Sequence, residues 1–317
     1  MEKIDYKSII EKYPWLIQRN MKCVISPDAD GMLCGLFMSN YLNWEIVGYY
    51  DNGKNLILKN GIKAEDCIFL DTEINRPNIK SIGHHISFLR KDNTLIDMNN
   101  YRSCLNPNNL RGRTMKENFS LKYPMGTIHL LLCIVGEKIE INCPAGSFFV
   151  ILQADGTINR FLDRYSENLY DWLLYLGIED SQNTLNKIIR KEINLVDICK
   201  DYVDYIKQYV KGKKDKIPIS ERGVIKDLSF NLEKTSFSDM CIKSTEEYLG
   251  FLSENTGWVF NQSKWCFDGF HLYEFSKKIK KPGVGTFNAA VQENFLSLAI
   301  TGNDKMEYTL EKPDKLP

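Results

Sequence analysis

Cys23-Val24-Ile25-Ser26-Pro27-Asp28-Ala29-Asp30-Gly31 joins a short apolar run to two carboxylates and a glycine. The run Cys23–Ile25 has the character of a buried strand, and Pro27 fits a strand end better than a strand centre. The apolar segment from Met32 to Trp44 then predicts a helix folded back on that strand. In open α/β sheets ligands gather at the carboxyl ends of the strands. An Asp-x-Asp placed there offers hard oxygen donors to Mn²⁺ or Mg²⁺. The same residues would equally serve as a helix N-cap, and the stretch alone leaves both readings open.

Further along, the layout recurs. Glu45–Tyr50 predicts a second strand ending at Asp51-Asn52-Gly53. Cys67-Ile68-Phe69-Leu70 runs into Asp71, and Phe148-Phe149-Val150-Ile151-Leu152 predicts a buried strand leading to Asp155-Gly156. Between these lies Gly83-His84-His85, flanked by Ile82 and Ile86, in a chain with only four histidines. Imidazole is a common nitrogen ligand for Mn, Fe or Zn. Each of these residues has a structural alternative: a turn for Asp71, and a backbone-bonded imidazole for the histidines. Four predicted strand ends carrying Asp28, Asp30, Asp71, His84, His85 and Asp155 are less easily explained as independent caps. On parallel strands of one sheet they would converge, and such a shell suits two cations placed for phosphate ester hydrolysis.

Composition narrows the classes. Lys+Arg and Asp+Glu both number 41, so no global positive field favours long nucleic acid, though a local groove is compatible. No apolar run reaches the roughly 20 residues of a membrane span. The N-terminus shows no signal-peptide pattern, and nine cysteines without Cys-x-x-Cys spacing point to reduced thiols in a cytoplasmic setting. At 317 residues two domains are the natural expectation. We read 1–185 as an α/β metal-binding domain and 186–217 as a connecting helix with the basic linker Lys211-Gly212-Lys213-Lys214. Residues 218–317 read as a smaller β-rich substrate domain. Ser229–Leu232, Gly257–Phe260, Gly269–Tyr273, Phe295–Ile300 and Met306–Leu310 are its predicted strands. His129, inside the apolar helix 128–135, reads as a core residue, and His271 as a surface position on a strand. The polar stretch 97–123 holds Arg102, Arg111 and Arg113, whose guanidinium forks suit a phosphate.

Taken together the motifs resemble those of the DHH phosphoesterase superfamily, which includes RecJ-type exonucleases, NrnA-type oligoribonucleases and cyclic-dinucleotide phosphodiesterases. The matching residues are Asp28-Ala29-Asp30-Gly31, Asp71, Gly83-His84-His85 and Asp155, spread over roughly 20–180. The resemblance implies a parallel-sheet catalytic domain with up to two Mn²⁺ or Mg²⁺ ions. Asp28 and Asp30 would each bind one ion and Asp71 would bridge them. His85 and Asp155 would complete the second site, with His84 facing the phosphate. It also implies hydrolysis of single-stranded DNA or short oligonucleotides. Cyclic dinucleotides, or binding with little catalysis, are the alternatives. This chain departs from the pattern at Val24 and Ser26, where the family carries another ligand or polar partner, and at Gly83, where it carries Asp.

Overall fold

The computed structural model describes residues 3–51, 53–91, 98–144, 146–162, 166–190, 230–231 and 233–317. The expected linker at 211–214, most of the connecting helix, Asp97, Ser229 and Leu232 lie outside them.

Twelve strands are described: β1 (Lys22–Ile25), β2 (Glu45–Tyr50), β3 (Asn55–Lys59), β4 (Cys67–Leu70), β5 (Lys80–Ile82), β6 (Cys104–Leu105), β7 (Phe230–Asn231), β8 (Ser236–Phe237), β9 (Phe270–Glu274), β10 (Ser276–Lys280), β11 (Ser297–Gly302) and β12 (Lys305–Leu310). Seven of them form the central sheet, in the order β6-β5-β4-β1-β2-β3-β9. The five from β6 to β2 are parallel, while β3 pairs antiparallel with both β2 and β9. The fold is therefore mixed α/β, with a mostly parallel sheet. A separate antiparallel sheet has the order β10-β12-β11.

The parallel strands are buried on both faces, which is why their sequences are nearly continuous apolar runs. Alternate side chains take opposite sides. Cys23, Ile25, Ile68 and Leu70 face the helical core, whereas Val24, Cys67 and Phe69 join Leu56, Leu58, Phe275 and Leu296 on the other side. The described helices up to residue 190 are α1 (Tyr6–Lys12), α2 (Ala29–Leu42), α3 (Pro107–Leu110), α4 (Met115–Asn118), α5 (Thr127–Gly136), α6 (Ser147–Gln153), α7 (Thr157–Leu162), α8 (Ser166–Tyr175) and α9 (Thr184–Arg190). Helices Asp239–Thr256 and Val284–Gln292 follow later in the chain.

Strand order places the site. The chain leaves β1 through α2 to β2 on one side, then returns to β4 on the other. Neighbouring strands whose connections diverge leave a crevice at their carboxyl ends. Ser26, Asp28 and Asp71 follow β1 and β4 into that crevice, and His84 follows β5. The antiparallel sheet sits against the same end. Ile300 N donates to Ile86 O at 2.8 Å, Asn75 N donates to Leu296 O at 2.7 Å, and Arg76 pairs with Glu311.

Three expectations need correction. Phe148–Leu152 is buried but lies in a helix, α6, not a strand. A five-residue apolar run has no period that separates the two, and this helix is covered all round, packing on α7, α9 and helix Asp239–Thr256. Asp155 consequently does not leave a strand end. It sits at φ 53° in a tight turn, Ala154–Gly156, between α6 and α7. Gly257–Phe260 is not a strand either. Gly257, at φ 71°, caps helix Asp239–Thr256, and Trp258 plugs into the core against Phe37 at 5.1 Å. Finally, β9, which the sequence reading put in a C-terminal domain, forms the edge of the central sheet.

Phe37 ties α2 to the C-terminal part of the chain through Trp258 and also touches Tyr41 at 5.2 Å. Phe37→Ala is expected to cost about 3–5 kcal/mol of unfolding free energy. Denaturant titration checks this, and a loss below about 1 kcal/mol would show that the contact does not hold the two parts together.

Candidate metal centre

Asp28 opens α2. Its Oδ1 accepts from Gly31 N at 3.1 Å, the N-cap geometry that the sequence left as an alternative. Asp30, fully buried one residue inside the helix, reaches across to α5. Its Oδ2 accepts from Thr127 N at 2.5 Å and its Oδ1 from Ile128 N at 3.0 Å. Helix α5 starts at Gly126 with no side-chain cap of its own, so Asp30 caps it from another element. A Cβ at position 126 would lie 2.8 Å from the Asp30 carboxylate, so this approach requires glycine.

Asp71, at φ 61°, turns its carboxylate to the same place. Thr127 Oγ1 donates to Asp71 Oδ1 at 2.9 Å. His84 Nδ1 lies 3.0 Å from Thr127 Oγ1, 3.1 Å from Asp71 Oδ1 and 3.6 Å from Asp30 Oδ2. On the opposite ring edge, His84 Nε2 contacts Asp155 Oδ2. Asp30, His84 and Asp155 thus form a group that could hold a metal ion, with Asp155 as its exposed member.

Charge and proton counting support a cation here. Ser26 Oγ is 2.8 Å from Asp28 Oδ1 and 2.6 Å from Asp71 Oδ2. A hydroxyl has one hydrogen, so two carboxylates this close to it are poorly served by Ser26 alone, and a positive charge nearby would favour the arrangement. Burial, then the neighbouring Asp71 charge, pushes the Asp30 carboxyl well above its ordinary value of 3.8. Burial, then Asp28, raises Asp71. Burial alone would lower His84, but the Asp155 and Asp71 carboxylates outweigh it and hold the imidazole well above 6.5. All three shifts run toward the protonated form, the direction a nearby cation would reverse. Asp30 gives two of its lone pairs to backbone amides and keeps others for a ligand bond. Two carboxylates and an imidazole fit a divalent cation with oxygen and nitrogen affinity.

His85 is elsewhere. Its backbone N donates to Glu73 Oε1 at 2.6 Å, and its Nδ1 is 3.5 Å from Glu73 Oε2. The two imidazoles stack at 4.3 Å, so His85 stands behind His84, outside the carboxylate group. The ring that enters the cluster is the one the resemblance assigned to the phosphate. Glu73 also explains Gly83, because a Cβ there would lie 2.3 Å from Glu73 Oε1. The buried glutamate fills the space that a side chain at 83 would need.

The arginines are committed to other partners. Arg111 Nη1 pairs with Asp171 Oδ2 at 2.6 Å, and its guanidinium lies over Trp172 and Tyr175. Arg113 is 3.9 Å from the same carboxylate, and Arg102 Nε bonds Pro77 O at 3.3 Å. His129 is buried with Nδ1 on Gly126 O, and burial lowers it to about 4. His271 is exposed on β9.

Sequence reasoning missed Ser26, Glu73, Thr127 and two asparagines. Asn108 Nδ2 bonds His84 O at 2.7 Å and Asn106 Nδ2 bonds His85 O at 2.8 Å, pinning the histidine turn. Asn106-Pro107-Asn108 carries a cap-and-proline helix start that could have marked this polar stretch as ordered. An apolar helix opening at Gly126-Thr127 without its own cap was the corresponding signal for Thr127.

No protein-family model matches the chain, and no curated protein or solved structure matches it at significant similarity.

Two predictions follow from this geometry. His84→Ala is expected to weaken Mn²⁺ binding at least tenfold while His85→Ala changes it less than threefold, measured by calorimetry. The reverse order would return His85 to the ligand set. The second concerns pH. A folded-state pKa raised above the unfolded value adds stability at low pH that is lost as pH rises through the folded value. For Asp30 and Asp71 that loss begins above 3.8 and for His84 above 6.5. Chelated protein should therefore melt higher near pH 5 than near pH 8, and added Mn²⁺ should raise the melting temperature most at pH 8. Equal metal effects at both pH values would contradict the proton shortage.

Proposed function

We propose that this protein is a metal-dependent phosphodiesterase acting on short single-stranded oligonucleotides. The observation that carries the reading is the Asp30, His84 and Asp155 group, with Asp71 beside it, at the crevice between β1 and β4. The order Asp28-x-Asp30, Asp71, His84 and Asp155 along the chain supports it through the resemblance to DHH phosphoesterases. The absence of a net charge agrees with short substrates.

In the reaction, a water oxygen bonds to phosphorus and the P–O bond to one nucleoside breaks. The departing oxygen takes up the proton that the water gives up, so a phosphomonoester and an alcohol result. A bound divalent cation supplies Lewis acidity, which makes water easier to deprotonate and offsets phosphoryl charge. The chain's own groups do the rest. Asp30 is fixed by the α5 amides, so its carboxylate does not reorganise as charge develops. Thr127 and Ser26 hold the two oxygens of Asp71. Asp155, partly exposed, is the member of the group that water and substrate reach. His85, set by Glu73, offers a ring that solvent touches beside the cluster, suited to handing a proton to the leaving oxygen.

One observation favours a second reading, a binding scaffold with little turnover. Asp28 is used as the helix cap and Ser26 occupies the space between Asp28 and Asp71, so the cation site that Asp28 would serve has, among the described residues, no equally clear ligand set.

The test offers Mn²⁺-loaded protein a 5′-labelled single-stranded oligonucleotide. Stepwise cleavage is expected. Asp155→Asn should lower the rate at least 100-fold, and Glu73→Gln should lower it about 10-fold with Mn²⁺ affinity retained. Stoichiometric binding of an oligonucleotide that stays intact would overturn the enzyme reading in favour of the scaffold.

A further inference from the structure

Beside the metal centre lies a cavity of about 520 Å³ whose walls include Lys116, Asn118, Lys122, Arg160 and Asn168, closed on one side by Asn303 from the β11–β12 turn. We propose that this cavity binds a nucleotide unit of the substrate next to the scissile one, with its phosphate held by Lys122, Arg160 and Lys116. The inference deepens the phosphodiesterase reading and rests on it for the ligand's role as substrate.

Four observations carry the site itself. The first is charge. Among the described residues Lys116, Lys122 and Arg160 line the cavity, and the carboxylate found beside them there, Glu117, is turned to the Thr114 hydroxyl. Among the described residues neither Lys116 nor Lys122 pairs with a carboxylate. Lys122 lies over the Phe119 ring at 4.9 Å instead. The second is burial. Lys122 is half-buried, and that enclosure, then the Arg160 guanidinium nearby, pushes it below the usual lysine range against the opposing pull of Asp155. A half-buried cation beside a second cation carries a desolvation and repulsion cost that a bound anion offsets.

The third observation is Asn168. Its side chain is nine-tenths buried, and Nδ2 donates to Lys122 O at 2.8 Å, which fixes the amide's orientation. Its Oδ1 is left without a partner. An unmet buried acceptor calls for a donor, and a ribose hydroxyl or a base amino group is one. Cations together with an acceptor suit a nucleotide better than a bare phosphate.

The fourth is connection. The segment from Lys122 to Thr127 leads from the cavity to the cluster. Tyr123 packs its ring 6.4 Å from His84, and Thr127 bonds both Asp30 and Asp71. Five residues span at most about 17 Å, within reach of a short oligonucleotide. The volume lies in the range of ordinary ligand sites. Asn303 makes the antiparallel sheet a wall of the site, a role for that sheet which neither the cluster nor the central sheet supplies.

The experiment uses the full chain, kept metal-free with chelator so that phosphate cannot bind at the cluster, and titrates it with 5′-AMP and with adenosine. AMP is expected to bind at least tenfold more tightly than adenosine. Lys122→Met should weaken AMP at least tenfold and Lys122→Arg should restore most of the affinity. Lys116 is exposed, so Lys116→Glu tests the same charge without risk to the core, and a fivefold or greater loss is expected. Lys7→Glu, at an exposed position on α1, is the control and should change nothing. Equal binding of AMP and adenosine, or AMP binding unchanged in both Lys122→Met and Lys116→Glu, would overturn the site. Failure of the enzyme reading looks different: AMP binding would respond to these variants while the Mn²⁺-loaded protein left oligonucleotides intact.

Discussion

The rest of the site depends on one buried carboxylate used twice. Asp30 has no exposed surface, and its two oxygens close the open amide end of α5. An uncapped helix start inside a protein would leave amides unsatisfied, and a buried aspartate without donors would be costly. Each solves the other's difficulty. The bond also locks α2 to α5, so the direction in which Asp30 faces the cluster is set by the packing of two helices and not by a side-chain rotamer alone. Thr127, the first residue of α5, then serves Asp71 from the same helix end.

Around that tie the sheet supplies convergence. β1 and β4 are neighbours whose connections leave in opposite directions, and the crevice between them receives Ser26, Asp28 and Asp71. The result is a set of acids too close for all of them to ionise without compensation. Ser26 has one hydrogen for two carboxylates, and Asp30, Asp71 and His84 all favour extra protons. Such an arrangement is poor for stability by itself. It makes physical sense as a place where positive charge arrives from outside.

The sequence showed the parts of this that are local. Short apolar runs, Cys23–Ile25 with Asp28 soon after and Cys67–Leu70 running into Asp71, marked β1 and β4, because strands buried on both faces are apolar at successive positions. Charged residues after them were visible for the same reason. What it did not show depends on three dimensions. Phe148–Leu152 has strand-like residues, yet it is wrapped on every side as α6, and burial alone does not distinguish the two. His84 and His85 are adjacent, and which ring enters the cluster is set by Glu73, whose carboxylate holds the second. Arg111 and Arg113 looked free for phosphate until Asp171, about 60 positions away, came beside them. Ser26, Thr127 and Asn108 are unremarkable residues whose importance comes only from their neighbours.

Two of the acids stand where the backbone would prefer another residue. Asp71 and Asp155 occupy φ 61° and φ 53°, a region that favours glycine, with asparagine and aspartate tolerated. Selection for folding alone would let both positions drift toward glycine or asparagine, at a gain of roughly 1 kcal/mol or less for each. Aspartate at both therefore brings a carboxylate to the cluster at a small conformational cost. Replacing either acid by glycine would ease the backbone and remove a carboxylate from the cluster in the same step, so conformational relief and loss of the charge cannot be separated at these two positions.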